Sequence, residues 1–322
     1  MNKILIIGGT GSLGYELTKR YIENNIIYNY SRDENKHWRM KLDFNNHKNL
    51  NFIIGDYNDT CTVINTLITI KPNVIILAAA MKHIDQCEFN TTQSLKNNLL
   101  GVKSVLDCID TIQDVSFLKT VLFVSSDKAT SPVNNYGMCK ALAETLITER
   151  AFYKKQIKFL CVRYGNVLNS RGSIIPLLHL IGKDKNKPFF TLTSPEMSRF
   201  VMTLSDSVDL IDHAILNGKS GDIVIPKLTS MKVRDLIEIF SELYNKEVKI
   251  IGVRSGEKLL ESLINVTQSQ RIQINGTYLH IRSVLDNTQT NTDPEKIKDY
   301  NSNTCPINKN ELKQLLLKLK LI

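Results

Sequence analysis

Short apolar runs recur through the first half of this chain, and segments with helical spacing separate them. The runs cover residues 4–7, 26–30, 52–54, 74–77, 120–124 and 159–163. The spacing between them predicts helices over 13–23, 60–69, 92–109 and 136–153. Strands alternating with helices of this length predict βαβ units and a parallel sheet. Six such strands predict an α/β fold with a doubly wound parallel sheet of the Rossmann-like type, built to hold a nucleotide.

The pattern becomes irregular after about residue 166, where Pro176, Pro188, Pro195 and Pro226 interrupt shorter segments. The expected organisation is a cofactor domain over 1–166 and a smaller C-terminal substrate lobe over 167–322, with residues near 195–215 returning to the first domain. The polar stretch 286–299, containing Pro294, reads as a mobile loop. No internal repeat is found.

Composition narrows the picture. The 322 residues are 42% hydrophobic and 23% charged, ordinary for a globular protein. No apolar run is long enough for a transmembrane helix, so no membrane partner is expected. The start, MNKILIIGGTGSLG, reads as a buried strand rather than a signal peptide, because glycines stand where a cleavage site would be. The formal net charge of +9 raises a nucleic-acid partner. The lysines are spread along the chain, and no nucleic-acid-binding motif accompanies them, so none is expected. The six cysteines form no C-x-x-C pair and no cluster with histidine. Free buried thiols of a reducing cytoplasm are expected, and no metal site.

Several stretches carry chemistry. The first strand runs directly into Gly8-Gly9-Thr10-Gly11-Ser12-Leu13-Gly14 and then a helix. Glycines let the backbone turn tightly against a pyrophosphate lying at the helix N-terminus. The turn fits G-x-G-x-x-G from Gly9 and G-x-x-G-x-x-G from Gly8; the Tyr-Lys pair described next favours the second. Ser31 and Arg32 follow the second strand and favour the 2′-phosphate of NADP over the bare ribose of NAD. Pairing of Arg32 with Asp33 or Glu34 is the competing reading. Asp56 after the third strand is placed to accept from the adenine amino group. Ala78, Ala79 and Ala80 after the fourth leave room for the dinucleotide.

The most informative stretch is VSSDKATSPVNNYGMCK, Val124 to Lys140. Tyr136 and Lys140, four apart, share one helix face. An ammonium there favours the phenolate, so Tyr136 is expected to give up its proton below its ordinary value and serve as a base toward a sugar hydroxyl. Asp127 and Lys128 add an acid and a second base. Oxidation alone does not require that pair; elimination of water does.

With these residues in hand, the chain resembles the extended short-chain dehydrogenases/reductases. More narrowly it resembles the UDP-N-acetylglucosamine 4,6-dehydratases of the C5-inverting type, in the polysaccharide-biosynthesis group. The carrying motifs, in order, are GGTGSLG, SRDE, AAAMKH, SSDKA, YGMCK, RYGNV, SRGS, EMSRFVMT and GVRSGEKL. They run from the first strand to about Ile264. The resemblance implies that Tyr136 and Lys140 are the oxidoreductase pair and that Ser125 or Ser126 orients the sugar. It implies that Asp127 protonates the departing C6 hydroxyl and that Lys128, with a lowered pKa, removes the C5 proton. Asn166 and Arg171 match substrate-lobe positions. Arg199 and Arg254 match residues gripping the UDP diphosphate, Glu257 a uridine-side contact, and Lys82 and Asn98 the wall near the nicotinamide. The chain departs from the pattern at Ile7, Ser126 and Ser255, where threonine, threonine and proline are common; no reacting group is lost.

The implied activity is dehydration of UDP-N-acetylglucosamine to a 4-keto-6-deoxy sugar, with tightly bound NADP recycled within the reaction and a homo-oligomeric enzyme. Two alternatives are a UDP-sugar 4-epimerase, which shares Tyr136 and Lys140 but does not need Asp127-Lys128, and a non-catalytic NADPH-binding sensor.

Overall fold

The computed structural model describes residues 1–285, 299–304 and 306–322. The expected loop over 286–299 and Cys305 therefore fall almost wholly outside the described residues. The six expected strands are present as β1 (Lys3–Ile7), β2 (Ile26–Ser31), β3 (Leu50–Ile54), β4 (Val74–Leu77), β5 (Thr120–Val124) and β6 (Lys158–Val162). They pair in parallel in the order 6-5-4-1-2-3, so the order reverses between β1 and β4.

The helices of this half are α1 (Ser12–Tyr21), α2 (Glu34–Asp43), α3 (Thr60–Ile70), α4 (Ile84–Phe89), α5 (Thr91–Leu95), α6 (Gly101–Thr111) and α7 (Asn135–Tyr153). Within each apolar run, alternate residues serve opposite faces. Leu5, Ile7, Ile75, Leu77, Val121 and Phe123 pack with Val63, Leu67, Val105, Ile109 and Ile147 from α3, α6 and α7. Ile4, Ile6, Ile76, Leu122 and Val124 pack the other way, against Leu17 of α1 and against Val208 and Ile211. Both faces are covered, which is why the strands read as unbroken apolar runs.

Two helices of this half, α2 and α4, escaped the sequence reading. In α2 only His37 and Met40 are buried, too few for a visible period. It is started instead by Asp33, whose side chain accepts from the Lys36 amide. The expected helix over 92–109 is broken into α5, a π-helical turn at Lys96–Leu100 and α6. The extra residue of the π turn points buried Asn98 at the segment after β4, where it accepts from the Met81 amide and donates to the Met81 carbonyl.

Beyond β6 the chain leaves and re-enters the sheet. It passes through β7 (Asn166–Val167), α8 (Ile174–Lys183), β8 (Phe189–Leu192) and β9 (Ser198–Met202). It returns with α9 (Leu204–Asn217), which packs on α1, and β10 (Ile223–Pro226), parallel to β6. It then builds β11 (Thr229–Lys232), α10 (Val233–Tyr244), β12 (Glu247–Ile250) and β13 (Ser262–Ile264). After a single turn of helix, the antiparallel β14 (Ile272–Asn275) and β15 (Tyr278–Ile281) extend the large sheet to nine strands among the described residues. A separate core among these later elements is centred on Phe190, Leu236, Phe240 and Leu312.

Arg163, just after β6, joins these parts. It is fully buried and forks onto Glu144 of α7 at 3.0 and 2.6 Å, and it donates to the Leu263 carbonyl and to Gln268. Removing one partner of a buried ion pair leaves the other uncompensated. Arg163→Met is therefore expected to lower the unfolding free energy by about 3–5 kcal/mol. Urea denaturation checks this, and a loss below about 1 kcal/mol would mean that Glu144 finds another partner.

Among the described residues no helix is long and apolar enough to cross a membrane. Cys87, Cys108, Cys139 and Cys161 are free and buried, but Cys61 is exposed on the first turn of α3, contrary to the expectation of uniformly buried thiols.

Candidate active site

The carboxyl ends of β1, β4, β5 and β6 open into one cleft of about 880 Å³. Its lining includes Gly8, Thr10, Gly11, Ser12, Leu13 and Gly14 from the first turn, and Ala78, Ala80 and Lys82 after β4. Ser126, Asp127, Lys128, Tyr136 and Lys140 line its floor, and Asn166, Arg171, Arg254 and Glu257 its outer wall. A cleft at this edge, where strand order reverses, is where open α/β sheets bind ligands.

The first turn is shaped for phosphate. Gly8 has φ of +90°, and a Cβ there would lie 2.6 Å from the Ala79 amide nitrogen, so only glycine fits. Gly11 stands at the N-cap of α1 with no side-chain cap, and the first turn of α1 carries no acidic residue. Its amides face the cleft and suit an anion. Arg171 reaches this turn from the outer wall. Its amide donates to Ser12 Oγ at 3.1 Å and its guanidinium to the Thr10 carbonyl. Lys82 Nζ donates to the Arg171 carbonyl at 2.6 Å, tying the two walls together.

A smaller adjoining cavity of about 260 Å³ is lined by Thr10, Tyr30, Ser31, Arg32, Asp33, Lys36, Gly55, Ala79 and Ala80, among others. Ser31 Oγ lies 3.0 Å from Thr10 Oγ1 and 2.7 Å from His37 Nε2. Arg32 does not pair with Asp33 or Glu34. Asp33 is taken by Lys36 at 2.6 Å, and the Arg32 guanidinium faces Asp56 at 3.6 Å. Asp56 is itself engaged by the amide and side chain of Asn58 and does not line the cavity.

The floor is assembled by a close backbone contact. Asp127–Ala129 form one 3₁₀ turn, started by Ser126, whose hydroxyl accepts from the Lys128 amide at 3.2 Å and donates to Asp127 Oδ1 at 2.8 Å. The first turn of α7 lies directly against it. A Cβ at Gly137 would fall 2.2 Å from the Lys128 carbonyl oxygen. Asn134 caps α7 through the Gly137 amide and donates to the Gly256 carbonyl at 2.8 Å, which docks the loop carrying Arg254 and Glu257. Its signature, an asparagine just before a helix, was present in the sequence but not used.

Tyr136 and Lys140 share a face, and both are buried. Lys140 Nζ donates to the Val124 carbonyl at 2.8 Å and sits 4.4 Å over the Phe123 ring. Burial lowers it to about 8. The expectation of a more acidic Tyr136 is reversed in this structure. Burial, and then the Asp127 carboxylate, push the phenol up, with Ser126 working against them.

Lys128 likewise departs from expectation. Its Nζ lies 3.0 Å from Asp127 Oδ1 and 3.2 Å from Oε1 of Glu261, a residue absent from the sequence reading. Burial alone would lower this lysine, but the two carboxylates outweigh it and its pKa is raised.

Two further expectations are corrected. Arg199 does not face the cleft: it is buried, and its guanidinium donates to the carbonyls of Ser198, Leu259 and Lys258, bracing the loop behind the floor. Asn98 is fully buried behind Met81 and is not part of the lining. Among the described residues no group of histidine, cysteine, aspartate and glutamate could hold a metal ion.

The sequence profile of the family described as "Polysaccharide biosynthesis protein" matches residues 4–283. A protein named UDP-glucose 4-epimerase from Rickettsia bellii (strain OSU 85-389) is 36% identical, over 98% of this chain and 95% of its own. Its namesake from Rickettsia prowazekii (strain Madrid E) is 35% identical over the same shares. The crystal structure of Pen from Bacillus thuringiensis superimposes with a TM-score of 0.91 at 32% identity, covering 100% of this chain and 98% of that one. DesIV, a dTDP-glucose 4,6-dehydratase from Streptomyces venezuelae solved with NAD and TYD, shares the fold, with a TM-score of 0.68 at 16% identity over 80% of this chain and 86% of that one.

Proposed function

The chain belongs to the polysaccharide biosynthesis protein family, among nucleotide-sugar epimerases and dehydratases of the extended short-chain dehydrogenase/reductase fold, and on that premise we propose that it is an NADP-dependent UDP-N-acetylglucosamine 4,6-dehydratase, with inversion at C5. The observation that carries this reading is the Asp127–Lys128 pair, buried at hydrogen-bond distance on the floor of the cleft beside Tyr136.

Thr10, Gly11, Ser12 and the α1 amides would hold the dinucleotide diphosphate, and Ser31, Arg32 and Lys36 its 2′-phosphate. A nicotinamide held there would supply reversible hydride transfer, out of C4 and back to C6. Tyr136 exchanges a proton with the C4 hydroxyl, with Lys140 favouring the phenolate through its charge. Asp127 and Lys128 share one proton along their 3.0 Å contact. On Lys128 it gives the ion pair seen in the structure. Moved to Asp127 Oδ1, it gives a carboxylic acid to protonate the departing C6 hydroxyl and a neutral amine to take the C5 proton. Elimination then returns the pair to its ion-paired form, with water as the product. The balance closes when solvent supplies the C5 proton on the face opposite Lys128, Lys128 gives its own proton back to solvent, and the proton held by Tyr136 passes to Asp127; Ser126, which bonds Asp127 and acts on the phenol, lies on that route. Arg254 supplies charge for the UDP diphosphate at the rim.

The names of the Rickettsia relatives favour a second reading, a UDP-sugar 4-epimerase using the same Tyr136 and Lys140. Nuclear magnetic resonance of the protein with UDP-N-acetylglucosamine in D2O separates them. A C6 methyl group beside a C4 keto hydrate supports dehydration, and its C5 configuration decides inversion. Appearance of the C4 epimer alone would replace the proposal with the epimerase.

Cofactor choice gives a separate prediction. Arg32→Ala is expected to weaken NADPH binding by about 10–100-fold, the worth of a charged hydrogen bond to phosphate. NADH binding should change much less. Fluorescence titration with both cofactors tests this, and equal weakening would remove Arg32 from 2′-phosphate recognition.

A further inference from the structure

Behind the cleft floor lies a compact charged cluster that the reaction as drawn does not use. Glu261, 1% exposed, follows the loop that carries Arg254 and Glu257. Its Oε1 is 3.2 Å from Lys128 Nζ. Lys258 Nζ lies 3.9 Å from Oε2, and Arg199 Nε lies 4.0 Å from Oε1. Among the described residues Oε2 accepts no hydrogen bond, and neither does Asp127 Oδ2. The backbone of Glu261 is clamped on both sides by Ser302, whose hydroxyl accepts from its amide at 3.0 Å and whose own amide donates to its carbonyl at 2.8 Å.

A buried carboxylate with an oxygen left unbonded is costly, and such groups are usually paired or removed. Arg199 and Lys258 do not explain its presence. Arg199 already has three carbonyl acceptors, and Lys258 donates to the Thr130 carbonyl at 2.8 Å. The close partner of Glu261 is Lys128, which lies between it and Asp127.

We propose that Glu261 is the positioning residue of the acid–base pair: it holds Lys128 Nζ, with its proton, against Asp127, so that the pair rests as an ion pair and becomes acid and amine only when that one proton crosses to Asp127. The inference rests on the dehydratase reading for its catalytic meaning, but its physical content is independent of turnover. The charged groups facing Lys128 are Asp127, Glu261 and Arg199, and Lys258 adds a further positive charge against its proton. Asp127 and Glu261 favour the proton on Lys128; Arg199 opposes it.

The test follows the ¹³Cε resonance of Lys128, assigned by its loss in Lys128→Arg, across pH in the full-length protein. In the native protein the signal is expected to keep its ammonium position past the ordinary lysine midpoint. Glu261→Gln keeps the shape and removes one charge, and the midpoint should fall by about 1–3 pH units. Glu261→Asp keeps the charge but withdraws it, and should give a midpoint between the two. If Glu261→Gln does not fold, the native-to-Asp comparison carries the test. An unchanged midpoint in the variants that fold would overturn the proposal. In turnover, Glu261→Gln should lower kcat and shift its pH profile downward while leaving KM for the nucleotide sugar unchanged. A uniform fall at every pH would mark Glu261 as structural only. Absence of dehydration in the native protein would overturn the proposed function and leave the resonance titration to decide this inference.

Discussion

Asp127→Asn is expected to reduce formation of the C6 methyl product by about 10²–10⁴-fold, the range for loss of a general acid. The change is nearly isosteric. The amide oxygen still accepts from Ser126 and Lys128, which now bond Oδ1 at 2.8 and 3.0 Å. What is lost is a group that can carry the proton to the departing C6 hydroxyl. Tyr136 and Lys140 are untouched, so oxidation at C4 should persist. Nicotinamide reduction would then be seen on mixing with substrate, without the methyl signal. This separates the two readings of the site, because a C4 epimerase does not need a proton at C6. Retention of C4 inversion within about tenfold of the native rate would support the epimerase. Loss of nicotinamide reduction as well would mean that Asp127 is needed for the site to assemble.

Tyr136→Phe is expected to cost a similar factor, about 10²–10⁴, but at an earlier step. Here nicotinamide reduction itself should disappear while substrate binding remains. The ring stays and its packing survives; the hydroxyl that exchanges the C4 proton goes. The pH dependence of the native enzyme should carry a linked signature. Burial and Asp127 raise the phenol, so a nearby positive charge is needed for it to lose its proton. Lys140, lowered to about 8, supplies that charge below about pH 8 and loses it above. The rate of nicotinamide reduction should therefore fall on the alkaline side with a midpoint near 8. Lys140→Met should remove that limb and lower the rate at every pH. A limb that survives this substitution would belong to another group.

The same titration enters stability with a definite sign. Lys140 binds its proton less tightly folded than unfolded. Between about 8 and its ordinary value near 10.5, the unfolded chain holds more protons, so this residue makes stability rise with pH across that window. Lys128, raised by its carboxylates, acts oppositely: its contribution is full below its ordinary value and is lost as pH rises through the higher folded value.

Much of this was legible in the chain. The apolar runs placed β1 through β6, because a strand buried on both faces must be apolar throughout. The glycine turn was legible because Gly8 must adopt a positive φ against the Ala79 backbone, a demand no other residue meets. The Tyr136 and Lys140 spacing was legible because a helix fixes which residues share a face. Helix α2 was not legible, because it buries only two side chains and so writes no period. The break at Lys96–Leu100 was hidden because a π turn is chosen by what the helix packs against.

Residue types and short-range spacing thus determined the parallel sheet, the glycine turn, and the grouping of Asp127, Lys128, Tyr136 and Lys140 beside it. The charges those groups carry were decided by tertiary structure alone. Lys128 and Tyr136 both moved opposite to the direction read from their neighbours in sequence. Glu261, distant along the chain, sits 3.2 Å from Lys128, and burial and the Asp127 carboxylate raise Tyr136. Arg199, an arginine in the right motif, is consumed by carbonyls before it reaches the cleft. A proton's affinity depends on solvent exclusion and on charges within a few ångströms in space, and neither can be read from separation along the chain.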